Sequence, residues 1–318
     1  MTAYVIRRVL QAIVVLLILS LVIFLVMRLL PGDPILLLVT GEELEQISEE
    51  KIAQLRHEFG LDKPLLVQYV DWLGQVARGD FGTSIVHRDD VRKEIFRRIP
   101  VTLHLGLVAF IIGALLGTLA GVVSAVRRGS WLDSFVTLLA NLGITAPPFW
   151  VGVLLIYLFG LYLKVLPIYG YTRPFEDFWL STRQSIMPIL CLAAFPLAAT
   201  ARQMRSSMLE VMRQDYIRTA WSKGLAERVV VLKHALKNAL IPVVTVQGVI
   251  LRFVIGGSVV VETVFNIPGL GRLAVESIIS QDYPVVQGII LVVAVFTVVI
   301  NLIIDLLYGW LDPRIQYE

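Results

Sequence analysis

Six stretches of this chain, at about 9–29, 102–126, 135–163, 186–201, 239–261 and 285–307, are apolar over roughly the length a helix needs to cross hydrocarbon. About 20 residues at a 1.5 Å rise span the roughly 30 Å core of a bilayer. Lipid offers the backbone no hydrogen-bond partners, so such stretches must close their own bonds as helices. The expected fold class is therefore all-α and polytopic, with six transmembrane helices in a lipid bilayer. Composition agrees: 57% of the 318 residues are hydrophobic and 17% are charged, and the mean hydropathy is +0.76, outside the range of soluble domains. The first stretch is long and lacks a small-residue cleavage site, which predicts a retained span rather than a signal peptide. Pro147-Pro148 in the third stretch, and Pro188 and Pro196 in the short fourth, predict kinks that make room for a central path.

The connecting segments set the orientation. Between 202 and 237 stand Arg202, Arg205, Arg213, Arg218, Lys223, Arg228, Lys233 and Lys237, against Glu210, Asp215 and Glu227. Arg7 and Arg8 precede the first stretch, and Arg127 and Arg128 follow the second. The segments after the third and fifth are poorer in cations, with Lys164, Arg173 and Arg183 in one and Arg272 in the other. Short basic loops stay in the cytoplasm, which predicts cytoplasmic N- and C-termini and puts 31–100 outside. That outer segment reads as a small folded cap, helical over 42–59 and 65–77 with a turn at Gly60-Leu-Asp-Lys-Pro64. The basic loop 202–238 reads as a helix–turn–helix pushed out of the membrane. Ala220 and Gly224 would lie on one helix face, small where a partner approaches, with Gly224 allowing a sharp change of direction. The alternative reading is a loop that only fixes topology.

Several chemistries are excluded. The net charge of +3 is small and its cations sit in separate loops, so no nucleic acid partner is expected. Cys191 is the single cysteine, and His57, His87, His104 and His234 lack zinc-ligand spacing, so neither a disulfide nor a metal site is expected. No catalytic residue stands out; Gly256-Gly-Ser258 has no histidine placed to serve it. No glycine-rich phosphate cradle ending in Gly-Lys-Ser/Thr occurs, so ATP and Mg are not expected as cofactors of this chain. A self-sufficient secondary transporter would carry paired intramembrane charges and an internal repeat, and the sequence shows neither.

Polar residues within the apolar stretches carry two readings each. Arg252 lies about 13 residues inside the fifth stretch. It either lines the pathway and steers a carboxylate, or forms an interhelical pair or snorkels outward. Asn301 and Asp305 read as structural, pairing with an arginine near the inner face, and His104 as an interfacial hydrogen-bonding residue. Residues 262–273 contain Pro268, Gly269 and Gly271 and cannot form a regular membrane helix. They read as a short re-entrant gate element that includes Glu262 and Phe265, or as an ordinary turn.

Nine blocks, in order along the chain, carry a resemblance. They are Leu30-Pro-Gly-Asp-Pro34, Phe59-Gly-Leu-Asp-Lys-Pro64, Arg78-Gly-Asp-Phe-Gly82, Pro100-Val-Thr-Leu-His-Leu105, Ala146-Pro-Pro-Phe-Trp150, Asp215-Tyr-Ile-Arg-Thr-Ala220, Glu262-Thr-Val-Phe-Asn-Ile-Pro-Gly-Leu-Gly271, Asp282-Tyr-Pro-Val-Val-Gln-Gly288 and Asp305-Leu-Leu-Tyr-Gly-Trp-Leu-Asp-Pro-Arg314. With these the sequence resembles the permease subunits of binding-protein-dependent ABC importers, closest to the dipeptide, oligopeptide and nickel branch. The basic loop resembles that family's EAA loop. Ala220 and Gly224 keep its pattern, while Arg218 and Thr219 replace the usual Glu and Ala, as in the peptide branch.

The resemblance implies a type I ABC importer fold with a coupling segment formed by Arg218, Thr219, Ala220, Trp221, Ser222, Lys223 and Gly224. The pathway or gate residues expected from the intramembrane charge and the irregular segment above are Arg252, Glu262, Phe265, Pro268 and Gly269. The implied division is 1–30 as the N-terminal segment and first helix, 31–100 as the extracytoplasmic cap, and 101–318 as the core permease domain. The implied partners are a second, homologous permease, two ATP-binding subunits and an extracytoplasmic solute-binding protein, in a bacterial or archaeal cytoplasmic (inner) membrane. The implied substrate is a di- or oligopeptide; nickel chelates and glutathione-like solutes are alternatives.

Overall fold

The computed structural model describes residues 2–29, 57, 62–252, 256 and 258–311. Apart from residue 57, the helix expected at 42–59, and residues 60 and 61 of the turn after it, lie outside the described residues. The described residues are almost wholly helical, and five helices are long and apolar enough to cross a membrane, or six if one bent pair counts as a single span. The chain divides into two compact units, residues 1–100 with 273–318, and residues 101–272.

In the first unit, α1 (Thr2–Leu29) packs along α11 (Tyr283–Leu311). Arg8 Nη1 lies 3.5 Å from Asp305 Oδ2, the pairing expected of Asp305. Helix α2 (Leu65–Ala77) spans the residues read as helical, and it packs on α1. The Phe24 ring lies 5.5 Å from Tyr69 and 5.9 Å from Trp72, and Ser20 Oγ is 2.8 Å from the Tyr69 hydroxyl. Asp282, just before α11, accepts from the Ser84 hydroxyl at 2.5 Å and from the Ile85 and Val86 amides. One buried carboxylate thus ties the loop ahead of α3 to the last helix.

Helix α3 (Val91–Val126) starts about 11 residues before the expected boundary. Its first turns carry Arg92, Lys93, Glu94, Arg97 and Arg98, so hydropathy hides them, yet Asp90 Oδ1 caps the Arg92 amide at 2.8 Å and starts the helix there.

In the second unit the third expected span is corrected to two helices. α4 (Trp131–Thr145) and α5 (Pro148–Leu155, continuing as a π-helical turn over Ile156–Tyr162) meet at 109°. Pro147 drives Ala146 into extended backbone (ψ 126°), and Pro148 restarts a helix at its first position. The bend comes from two extended residues, not from a kink. The central helix α6 (Phe178–Val211) runs 34 residues through Pro188 and Pro196 without breaking. Helix α3 lies against it along Gly113, Gly117 and Gly121: a Cβ on Gly117 would meet the Leu197 carbonyl oxygen at 2.6 Å. Small residues every fourth position let helix backbones meet closely. The fifth span runs Glu227–Leu251 (α8) instead of 239–261. Its π-helical turn Val230–Ala235 buries Val230, Val231 and Ala235, while Arg228 and Lys233 keep its start polar.

Candidate coupling segment and the buried carboxyl node

Between α6 and α8 lies an isolated eight-residue helix, α7 (Asp215–Ser222). Two residues hold it. Ile217 is 0% exposed and Ala220 6%, and both join an apolar cluster with Met204 and Met208 of α6 and Val230 and Ala235 of α8. Asn238 Nδ2 adds a hydrogen bond of 2.8 Å to the Tyr216 hydroxyl. The outward face carries Arg218, Thr219, Trp221 and Ser222, all exposed, followed by exposed Lys223 and Gly224. The exposed Arg218–Asp215 pair (3.3 Å) is solvated and contributes little.

Two expectations are corrected here. Ala220 faces its own chain, because the turn of the helix pairs it with Ile217 three residues earlier; it offers no small surface to a partner. Gly224 does not share a helix face with it, because the helix ends at Ser222. Gly224 has φ +73°, its amide donates to the Trp221 carbonyl at 2.9 Å, and nothing lies within 4 Å of where a Cβ would stand. It is the left-handed turn after the helix, in the conformation glycine adopts most readily.

The expected gate segment contains helix α9 (Val259–Val264), a loop, and helix α10 (Leu270–Ile279). Glu262 is fully buried. Its Oε1 accepts from the Thr102 hydroxyl at 2.7 Å and its Oε2 from the Arg272 amide at 3.0 Å. Thr102 Oγ1 in turn accepts from the Leu270 amide at 2.9 Å. A Cβ on Gly269 would collide with the Glu262 carboxyl, so a larger residue there would displace that carboxyl from its partners. Phe265 is 2% exposed, in a cluster with Val101, Leu105 and Met187. Glu262, Phe265 and Gly269 are thus buried by their own chain and cannot line a path between two chains. Of the expected gate residues, Pro268 is exposed.

Arg252 is also relocated. It is the C-cap of α8 and not a residue deep in a span, because that helix both starts and stops earlier than its hydropathy suggests. Its Nε is buried with no hydrogen-bond partner among the described residues. His104 Nδ1 lies 2.9 Å from the Tyr171 hydroxyl, the hydrogen-bonding role read for it. Burial pushes the Tyr171 phenol above its usual value.

One site went unread in the sequence. Arg205 holds Asp133 through two bonds, Nε to Oδ1 at 2.7 Å and Nη2 to Oδ2 at 2.9 Å. Ser124 and the Gly129 amide complete the shell of Asp133. In the sequence Arg205 reads as one more loop cation, and Asp133 as an acid close to an apolar stretch.

Long apolar helices in both units, and within the second a short amphipathic helix set between α6 and α8 with its polar face bare, are the build of a polytopic membrane permease. The chain belongs to the family of binding-protein-dependent transport system inner membrane components: residues 117–317 match that description, and residues 1–106 match the family's N-terminal component. The chain is 46% identical over 321 residues to a peptide transport system permease protein of Brucella abortus, with both chains covered in full. It is 43% identical over 318 residues to the glutathione transport system permease protein GsiC of Salmonella typhimurium, and 40% identical over 337 to the dipeptide transport system permease protein DppB of Alkalihalophilus pseudofirmus, again over both full lengths. Among solved structures it resembles the MetNI methionine ABC transporter in an inward-facing conformation, with TM-score 0.55, 19% identity, and 69% of this chain and 96% of that chain covered. An amino acid ABC transporter matches with TM-score 0.52 and 16% identity over 69% of this chain and 94% of that one. The type I ABC importer permease fold expected from the sequence is the fold the chain has.

Proposed function

We propose that the chain is one of two permease subunits of an ATP-driven importer of short peptides, and that α7 receives the stroke of a separate ATP-binding subunit. The observation that carries this reading is the two-faced helix itself: Ile217 and Ala220 fasten it to α6 and α8, while Arg218, Trp221 and Lys223 stand bare. A push on that face moves Met204 and Met208 of α6 and Val230 and Ala235 of α8 through close-packed contacts, which transmit strain instead of absorbing it. The peptide assignment rests on relatives of 40–46% identity named for peptide, dipeptide and glutathione transport; glutathione is itself a tripeptide.

In this reading ATP and Mg belong to two partner subunits, and an extracytoplasmic solute-binding protein delivers the peptide to the side carrying 31–100. Residues 202–238 and both termini face the cytoplasm, as the basic residues predict. The exposed loop tip at Pro268 gates the outer mouth.

The test is purification of the chain with whatever subunits accompany it, reconstitution in proteoliposomes, and measurement of labelled dipeptide uptake. Uptake that requires ATP and the solute-binding protein is expected. Uptake without ATP, driven by a proton gradient, overturns the reading.

A further inference from the structure

A cavity of about 570 Å³ opens between α4 and the end of α6, lined by Thr137 and Asn141 on one side and Arg202, Arg205, Glu210 and Arg213 on the other. Its charge is unbalanced. Asp133 already holds Arg205, whereas Arg202 and Arg213 pair with no described residue, and Glu210 is the one acid in the lining. The cavity also stands at a definite depth. The apolar stretch of α6 ends at Ala201 and Arg202 follows, while the helix runs on to Val211. On α4 the neighbouring Phe135, Leu138, Leu139 and Leu142 are about half exposed, a face for acyl chains. Trp131, 74% exposed, opens the same helix, and interfacial tryptophan marks the headgroup level. The Asp133–Arg205 pair and the Gly129 amide fasten the Arg127-Arg128 turn to this level of α6.

Unpaired arginines in a cavity of mixed polar and apolar lining, at the boundary of an apolar helix face, match the phosphate of an anionic lipid whose tails lie along α4. We propose that this cavity binds the headgroup phosphate of an anionic phospholipid through Arg202 and Arg213, with Arg205 held in place by Asp133. The site adjoins Gln214, the N-cap of α7, so an occupied cavity braces the entry to that helix. The inference does not depend on the transported solute.

The test uses the full chain with its co-purifying subunits in nanodiscs of equal phosphatidylglycerol and phosphatidylcholine, with native mass spectrometry counting the lipids retained. Phosphatidylglycerol should be enriched. A basic side chain near an anionic surface contributes about fivefold, so Arg202→Gln with Arg213→Gln should lower the enrichment about 25-fold. The double lysine variant, which keeps the charge, should retain most of it; this separates loss of charge from loss of fold. Unchanged enrichment in the glutamine variant overturns the proposal. So does an equal loss from Arg127→Gln with Arg128→Gln, which would mean a diffuse basic belt. Displacement of the lipid by millimolar inorganic phosphate would make this a free-phosphate site. A photo-crosslinker at Asn141 that captures a protein subunit would assign the cavity to a partner's acid. Either result refutes the lipid.

Discussion

Two short segments interrupt the long helices, and they are held by different means. At α7 the hold is apolar: Ile217 and Ala220 sink into the α6–α8 cluster, and every polar side chain of the helix stays outside. At 262–272 a polar hold is added to the apolar one: besides Phe265 and Ile267 in their cluster, one buried carboxyl group accepts from Thr102 and from the Arg272 amide, in a space so tight that a Cβ on Gly269 would meet it. The proposed coupling role of α7, and the place of the turn beside membrane-spanning helices, account for the difference. A helix that transmits a push needs a packed apolar root, which carries displacement without breaking directional bonds. A non-helical turn beside membrane-spanning helices must satisfy its freed amides internally, because lipid satisfies none. An apolar root tolerates movement; a hydrogen-bonded pin fixes one geometry.

The largest effect should come from removing the pin. Glu262→Ala orphans the buried Thr102 hydroxyl, at about 1–3 kcal/mol, and takes the acceptor from the part-buried Arg272 amide, so thermal unfolding in detergent should fall by several degrees and uptake should be lost. Unchanged unfolding would break the comparison, because the turn would then be held by packing. Next is the root: Ile217→Ala removes a fully buried side chain at a cost of about 2–5 kcal/mol if the cluster cannot collapse. Its effect should appear as protease sensitivity within 213–226 while the remaining helices stay protected.

Gly224→Ala should cost about 1–2 kcal/mol locally, since alanine must take φ +73° although space is open around it. A neutral result in hydrogen exchange of α7 would show that the turn relaxes freely. The smallest effect on stability is expected at Trp221→Ala, within about 0.5 kcal/mol because the ring is 41% exposed and outside the cluster. Uptake should nevertheless fall at least severalfold. A variant that is both stable and fully active would leave α7 as a mere connection.

Much of the fold was legible because lipid imposes length and apolarity on every span. The spans at 9–29 and 285–307 and the helix Leu65–Ala77 were read at or within a few residues of the described helix, apart from charged or polar turns at their ends. Where the reading failed, hydropathy was measuring something other than backbone geometry. Phe135 to Leu163 carries no charged residue across a bend of 109° made at Ala146 and Pro147. The start of α8 is amphipathic, so Arg228, Lys233 and Lys237 masked helix that buries Val230 and Ala235. The order of residues in 215–224 marks a candidate coupling segment, but a single sequence does not display helix rotation, and Ala220 turns its side chain to its own chain.

Glu262 misled for another reason. Its partners are a threonine 160 residues away and a backbone amide, which no side chain announces. The repeat Gly113-Ala-Leu-Leu-Gly117-Thr-Leu-Ala-Gly121, by contrast, was visible and would have given the α3–α6 contact.

The account stands on α7 being the face that an ATP-binding subunit grips. A photo-activatable amino acid at position 221, in the intact complex in native membranes, tests that directly, with the crosslinked product identified by mass spectrometry. The account predicts a crosslink to a subunit bearing a nucleotide-binding site, at a yield that changes when ATP is trapped. A crosslink to lipid alone, or to a subunit without such a site, would contradict it.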